Sequence, residues 1–141
     1  MKILVSACLL GVPCRYDAKS KPNEAVISLK ENHTLIPVCP EVLGGLKTPR
    51  IPSEIQGERV TRFDGVDVTT EYNKGAEKAL EIAKREDVAL AIFKAKSPSC
   101  GNKQIYDGTF TKTLIYGKGI TTRLFEANNI KVINENELEK I

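Results

Sequence analysis

No stretch of this chain approaches the ~18 to 20 consecutive apolar residues that crossing a bilayer requires. Lys2 is followed by only a short apolar stretch, broken at Ser6, which is too little for a secretory signal. The expected address is cytoplasmic, with no membrane partner. There is no run of five or six basic residues, and the net charge is only +3. Nucleic acid is therefore not demanded as a partner, although a modest basic face suits an anionic or nucleotide-like ligand. The phosphate-binding fingerprints G-x-G-x-x-G and G-x-x-x-x-G-K-[ST] are both absent, which leaves nucleoside triphosphate chemistry without its cradle. No C-x-x-C occurs either, so a zinc knuckle or thioredoxin-type pair is not expected. Histidine is represented by His33 alone. Acid and base work falls to carboxylates, hydroxyls or thiols.

What is present is a chain of 141 residues, 41% apolar and 28% charged, long enough for one domain with a substantial core. Short apolar runs at 2–6, 34–38, 88–93 and 130–133 read as buried strands. Helical spacing marks 23–30, 70–86, 121–127 and 135–141. The clearest is 70–86, where Tyr72, Ala76, Ala79, Leu80 and Ala83 form one stripe and Lys84 and Arg85 suit the negative end of the helix dipole. A peripheral strand is expected at 58–63. The turn signal Asp107-Gly108 predicts a hairpin from 104–106 to Thr109-Phe110. This alternation describes a single α/β domain over 1–141, with a mainly parallel, Rossmann-like sheet and helices on both faces.

The four cysteines carry the main chemical signal. Cys8 lies past the first strand, Cys39 directly past the second, and Cys100 in Ser97-Pro98-Ser99-Cys100-Gly101 past the third. If the strands are parallel, their C-terminal ends share one edge, where open α/β sheets bind ligands. Free cysteines are also common as small core residues, but these three follow their strands and sit near Pro or Gly. Three thiolates suit zinc with a water, or an iron-sulfur cluster with one open iron. Cys14 fits a fourth ligand, a supporting thiol or an inert core residue.

Glu41 follows Cys39 on the long segment 39–52, whose apolar content predicts an ordered loop over the site. Ser97 and Ser99 either cap a strand end or orient a water or heterocycle. Arg15, Asp17 and Arg50 are candidate substrate contacts or partners of one another, Arg offering a planar donor fork. His33 precedes the second strand and so should lie ~20 Å from Cys39, on the surface at the opposite edge.

Several motifs together resemble a bacterial family catalogued as a domain of unknown function that includes thiouracil desulfidase. They are Ser6-Ala7-Cys8-Leu9-Leu10-Gly11 with Cys14-Arg15-Tyr16-Asp17, and Pro37-Val38-Cys39-Pro40-Glu41 with Gly44-Gly45-Leu46 and Pro49-Arg50. Gly65-Val66-Asp67-Val68-Thr69, Gly75-Ala76, Ser97-Pro98-Ser99-Cys100-Gly101 and Ile105-Tyr106-Asp107-Gly108 complete the pattern over nearly the whole chain. The chain departs from it at Ala18, where the family often has Gly, and at Phe125, where Leu is common.

The resemblance implies a [4Fe-4S] cluster held by three cysteines, matching Cys8, Cys39 and Cys100, with one iron free to take sulfur from a thiolated pyrimidine. It implies acid-base roles for Glu41 and Ser97. Glu41 would activate a water for attack at the thiolated carbon, and Ser97 would steady the water or the pyrimidine carbonyl, without net electron transfer. Arg15 and Ser99 are the expected substrate contacts. A free base, a nucleoside and a thiolated tRNA base share the reacting group, so all three remain open as substrates. Two rivals stand beside this: a zinc-stabilised binding module, and a metal-free enzyme passing sulfur through a persulfide on Cys100.

Overall fold

The computed structural model describes all 141 residues. A four-stranded parallel sheet is built from β1 (Lys2–Ser6), β2 (Thr34–Val38), β5 (Leu90–Phe93) and β8 (Lys131–Asn134), in the order β2-β1-β5-β8. The two inner strands carry the apolar runs Ile3-Leu4-Val5 and Leu90–Phe93 because both their faces are covered. Ile3, Leu4, Val5 and Leu90 through Phe93 are all buried. β2 lies at the edge, which is where Pro37 is tolerated in a strand.

One face of the sheet packs Ile3, Val5, Leu90, Ile92 and Ile133 against Val26 of the short helix α1 (Glu24–Ser28). The other packs Leu4, Ala91, Phe93 and Val132 against Ala79 and Ala83 of α3 (Thr69–Arg85) and Phe125 of α4 (Ile120–Ala127). Phe93 and Phe125 meet edge to face with ring centroids 5.2 Å apart. Phe125 is therefore a packed core residue. Successive strands switch sides at β1, β2 lying on one side of it and β5 on the other. The crevice at such a switch, beyond the strands' C-terminal ends, is the usual ligand position in an open α/β sheet.

Two antiparallel ribbons stand beside that crevice: β3 (Ser53–Gln56) with β4 (Arg59–Arg62), and β6 (Gln104–Tyr106) with β7 (Leu114–Tyr116). A four-residue helix, α2 (Pro40–Leu43), directly follows Cys39, with Pro40 in its first turn. α2 lies backbone against backbone on α3. A Cβ on Gly75 would fall 1.9 Å from the Pro40 carbonyl oxygen, and one on Gly44 would fall 2.0 Å from that of Glu71. Only glycine fits at either place.

Besides α2, a helix where 39–52 was expected to be loop, three expectations change. The return strand of the second ribbon is Leu114–Tyr116 and not Thr109-Phe110, because Asp107-Gly108 opens a longer loop whose Phe110 and Lys112 take positive φ. Residues 135–141 form only a 3₁₀ turn at Leu138–Lys140, since the Glu137 carboxylate is drawn into hydrogen bonds with Asn102, Asn134 and Lys140. β3 also lies where no strand was expected. At Ala18 the backbone has φ +61°, the left-handed conformation that glycine adopts without strain, so a glycine would suit this position. No helix is long and apolar enough to cross a membrane.

Candidate functional site

The C-terminal ends of β1, β2 and β5 open into a cavity of about 380 Å³. Cys8, Cys14, Cys39 and Cys100 all line it, and all four are free thiols. Cys8 belongs to the 3₁₀ turn Ala7–Leu10 that continues β1, and Cys39 caps α2. Cys100 is held by Ser97. The Ser97 hydroxyl oxygen accepts the backbone N–H groups of Ser99 and Cys100, each at 3.1 Å, and the Ser97 carbonyl accepts the Gly101 N–H. Ser97 itself lines the cavity, and its own hydroxyl proton is free to donate there.

Burial pushes the Cys100 thiol up to about 12, and the nearby Cys39 and Glu41 charges add to the effect. Cys39 is raised further, by the adjoining Cys14 thiol and by burial. For Cys14, contact with Cys39 works downward, but Cys8 and burial outweigh it and the net shift is upward. A bound cation would offset the burial that disfavours the thiolates of Cys14, Cys39 and Cys100.

Soft sulfur donors from three separate strand ends lining one cavity suit an iron-sulfur cluster. Zinc requires its ligands at ~2.3 Å around a single point. Cys14 adjoins both Cys8 and Cys39, and Cys39 lies near Cys100, so the thiols are neighbours whose donor chemistry suits a cluster.

Glu41 faces the same cavity from α2. Its Oε1 accepts the Arg50 Nε–H at 3.1 Å and the Tyr72 hydroxyl at 2.9 Å. Both donors fall on one oxygen, so Oε2 is the atom left for the cavity. Burial, and then the Glu41 carboxylate, raise Tyr72 well above the ordinary phenol range. It stays a donor at neutral pH.

The remaining candidates divide. Arg15 lines the cavity, with its guanidinium 5.9 Å from the Tyr16 ring centroid. Arg50 lines it too, but its donors are engaged by Glu41, the Lys47 carbonyl, the Thr48 hydroxyl and the Cys14 carbonyl. It is a brace joining the Cys14 and Glu41 segments, and not a free substrate contact. Ser99 does not line the cavity: it is buried, with its hydroxyl 2.7 Å from that of Thr121 on α4. Asp17 also lies outside, accepting the Lys19 N–H within its own turn. His33 sits at the opposite sheet edge, as expected, but half-buried, with Nδ1 3.3 Å from the N-terminal amine.

Tyr72 was expected only as part of a core stripe. The signal was there, because a phenol among alanines carries a polar tip that must find a partner when buried. Phe63, Tyr106 and Phe110 entered the sequence reading only as parts of a strand, a motif and a turn, and Glu54 not at all; the packing of the two ribbons brings all four to the cavity.

Residues 3–137 match the family model described as 2-thiouracil desulfurase. The chain belongs to the 2-thiouracil desulfurase family. The motif resemblance is thereby supported over nearly its whole length. A curated family relative is the uncharacterised protein YbbK of Bacillus subtilis (strain 168), 40% identical over 149 residues, an alignment spanning 99% of each chain. A solved structure, described as the [4Fe-4S]-dependent thiouracil desulfidase TudS, superposes with a TM-score of 0.94 at 44% identity. That match covers 99% of this chain and 93% of the other, so this member of the 2-thiouracil desulfurase family has the neighbour's fold throughout.

Proposed function

We propose that this protein hydrolyses the carbon–sulfur bond of a thiolated pyrimidine, a thiouracil-like base or nucleoside, releasing sulfide with the help of a [4Fe-4S] cluster. What carries the reading is that Cys8, Cys39 and Cys100 line one cavity together with a carboxylate, Glu41, whose second oxygen is unengaged. Family membership and the description of the structural neighbour support it.

Cys8, Cys39 and Cys100 are the residues that would hold the cluster. When bound, such a cluster supplies a Lewis-acidic iron with affinity for soft sulfur. The protein supplies the rest. Arg50 and Tyr72 hold Glu41 Oε1, so that Oε2 takes a proton from the water attacking the thiolated carbon. Ser97 donates its hydroxyl proton to the pyrimidine carbonyl while its oxygen stays bound to the Cys100 turn. Arg15 stands at the wall as a further donor to the ring substituents. Water oxygen replaces sulfur, hydrogen sulfide leaves, and no electrons are gained or lost.

Anaerobic purification with iron and acid-labile sulfide analysis tests the cofactor. About four of each per chain is the expected result, while one zinc or no metal would overturn it. Sulfide release from 2-thiouracil tests the reaction. Glu41→Gln should keep the cluster absorption and lose ~10²- to 10⁴-fold in rate.

A further inference from the structure

The loop joining β6 to β7 alternates in a way the proposed chemistry does not use. Thr109, Thr111 and Thr113 share a chain of hydroxyl contacts at 2.6 and 2.8 Å, anchored on Asp107 Oδ1, which accepts the Thr109 hydroxyl at 2.6 Å. Between them, Gly108, Phe110 and Lys112 all take positive φ, at +95°, +58° and +62°. L-residues rarely adopt that conformation without something to hold it. Phe110 and Lys112 line the cavity that contains the cysteines.

The holder is Glu54 of β3. This carboxylate is only 8% exposed, and its Oε1 accepts the N–H groups of both Gly108, at 2.9 Å, and Phe110, at 3.2 Å. Gln56, two residues along the strand, donates its side-chain N–H to the Gly108 carbonyl at 2.8 Å. Gly108 itself presses on β3 so closely that a Cβ would fall 2.7 Å from the Ile55 carbonyl oxygen. One ribbon thus clamps the loop of the other. The consequence is the placement of a ring: Phe110 meets Phe63 edge to face, centroids 5.4 Å apart, and both rings face the cavity. Phe63 is 67% exposed, a large apolar surface kept open at a cavity mouth.

We infer that Phe110 is a specificity-determining residue whose ring, braced edge-on by Phe63, stacks on the flat heterocycle, and that Glu54 is the positioning residue that fixes it. This rests on the pyrimidine reading of the cavity given above. A ring with two open faces gains from an aromatic platform regardless of its substituents. The platform therefore selects flat heterocycles over acyclic thioamides, which offer little ring surface to stack, while the sulfur is recognised at the cysteines.

The test uses cluster-loaded protein, the unreactive flat probe uracil followed by calorimetry, and steady-state KM for 2-thiouracil. Phe110→Ala and Glu54→Ala should each weaken uracil binding and raise KM about tenfold, with cluster absorption retained. Phe110→Tyr, which keeps the ring, should restore affinity. In a Phe110→Ala background, Glu54→Ala should add nothing, because Glu54 acts through that ring. A general structural loss at Glu54 would instead cost as much in either background, and would overturn its assignment. Wild-type uracil affinity in Phe110→Ala, or no uracil binding by the wild type, overturns the platform. Uracil binding without sulfide release from 2-thiouracil supports the platform and sinks the desulfuration reading. Sulfide release with unchanged affinity in both variants does the reverse.

Discussion

Tyr72 on α3 and Glu41 on α2 are joined by a hydrogen bond of 2.9 Å, although the two residues lie 31 positions apart. The bond exists because Gly44 and Gly75 let the two helices touch backbone to backbone. It sets which carboxylate oxygen the cavity receives.

Replacing Tyr72 with Phe removes one of the two donors on Oε1. Hydrogen bonds to charged groups contribute about 1.5–3 kcal/mol, so thermal stability should fall by roughly that much and sulfide release by about tenfold at unchanged cluster content. The phenol's pKa is raised, first by burial and then by the Glu41 carboxylate. The wild-type phenol therefore remains a donor, and the deficit should stay constant between about pH 6 and 9. A deficit that disappears within that window would show that Tyr72 does something other than hold Glu41.

Gly75→Ala tests the helix contact itself. Its Cβ would lie 1.9 Å from the Pro40 carbonyl oxygen, with backbone on both sides and no flexible side chain to yield. Overpacking of this kind costs about 1–3 kcal/mol. α2 must move, carrying Glu41 and its cap Cys39 with it, so iron incorporation should drop along with the melting temperature. A variant that melts lower but loads iron fully would separate the contact from the site.

Ligand assignment rests on the thiols. Cys8→Ser, Cys39→Ser and Cys100→Ser should each abolish cluster incorporation, whereas Cys14→Ser keeps at least part of it, its backbone carbonyl still receiving Arg50. Iron and sulfide content of the four purified variants decides this. The reverse result at Cys8 and Cys14 would transfer the first ligand to Cys14.

Glu137 gives the pH-dependent prediction. Burial alone would raise its pKa, but hydrogen bonds from Asn102, Lys103, Lys140 and the Asn134 N–H outweigh that and hold the carboxyl well below the ordinary carboxylate range. A folded-state pKa below the unfolded one means that the stabilisation is complete above the unfolded value, about 4.3, and is lost as pH falls through the folded one. Glu137→Gln should therefore cost about 2 kcal/mol at pH 7, and the gap to wild type should narrow below about pH 4. Denaturant melts at both pH values check it, and a gap that is constant with pH would contradict the charged role.

The fold and the site were readable in the sequence to different depths. Ile3-Leu4-Val5 and the run ending at Phe93 announced inner strands, because a strand buried on both faces cannot alternate with polar residues. α3 was equally clear from its alanine stripe. The ribbon strand Leu114–Tyr116 was not, because its three side chains are exposed or half-buried and carry no pattern of a core.

The sequence by itself determined the chemical inventory: parallel strands that end in cysteines, a carboxylate two residues past one of them, and a hydroxyl three residues before another. Those placements follow from local spacing, since a strand's end fixes where its next side chains emerge. Only the tertiary structure decided that Tyr72 and Arg50 share Glu41 Oε1, that Ser99 turns to Thr121 instead of the cavity, and that Glu54 clamps the Phe110 loop. Each of these pairs joins segments 9 to 56 residues apart. Such contacts depend on how whole elements pack, which no local pattern encodes.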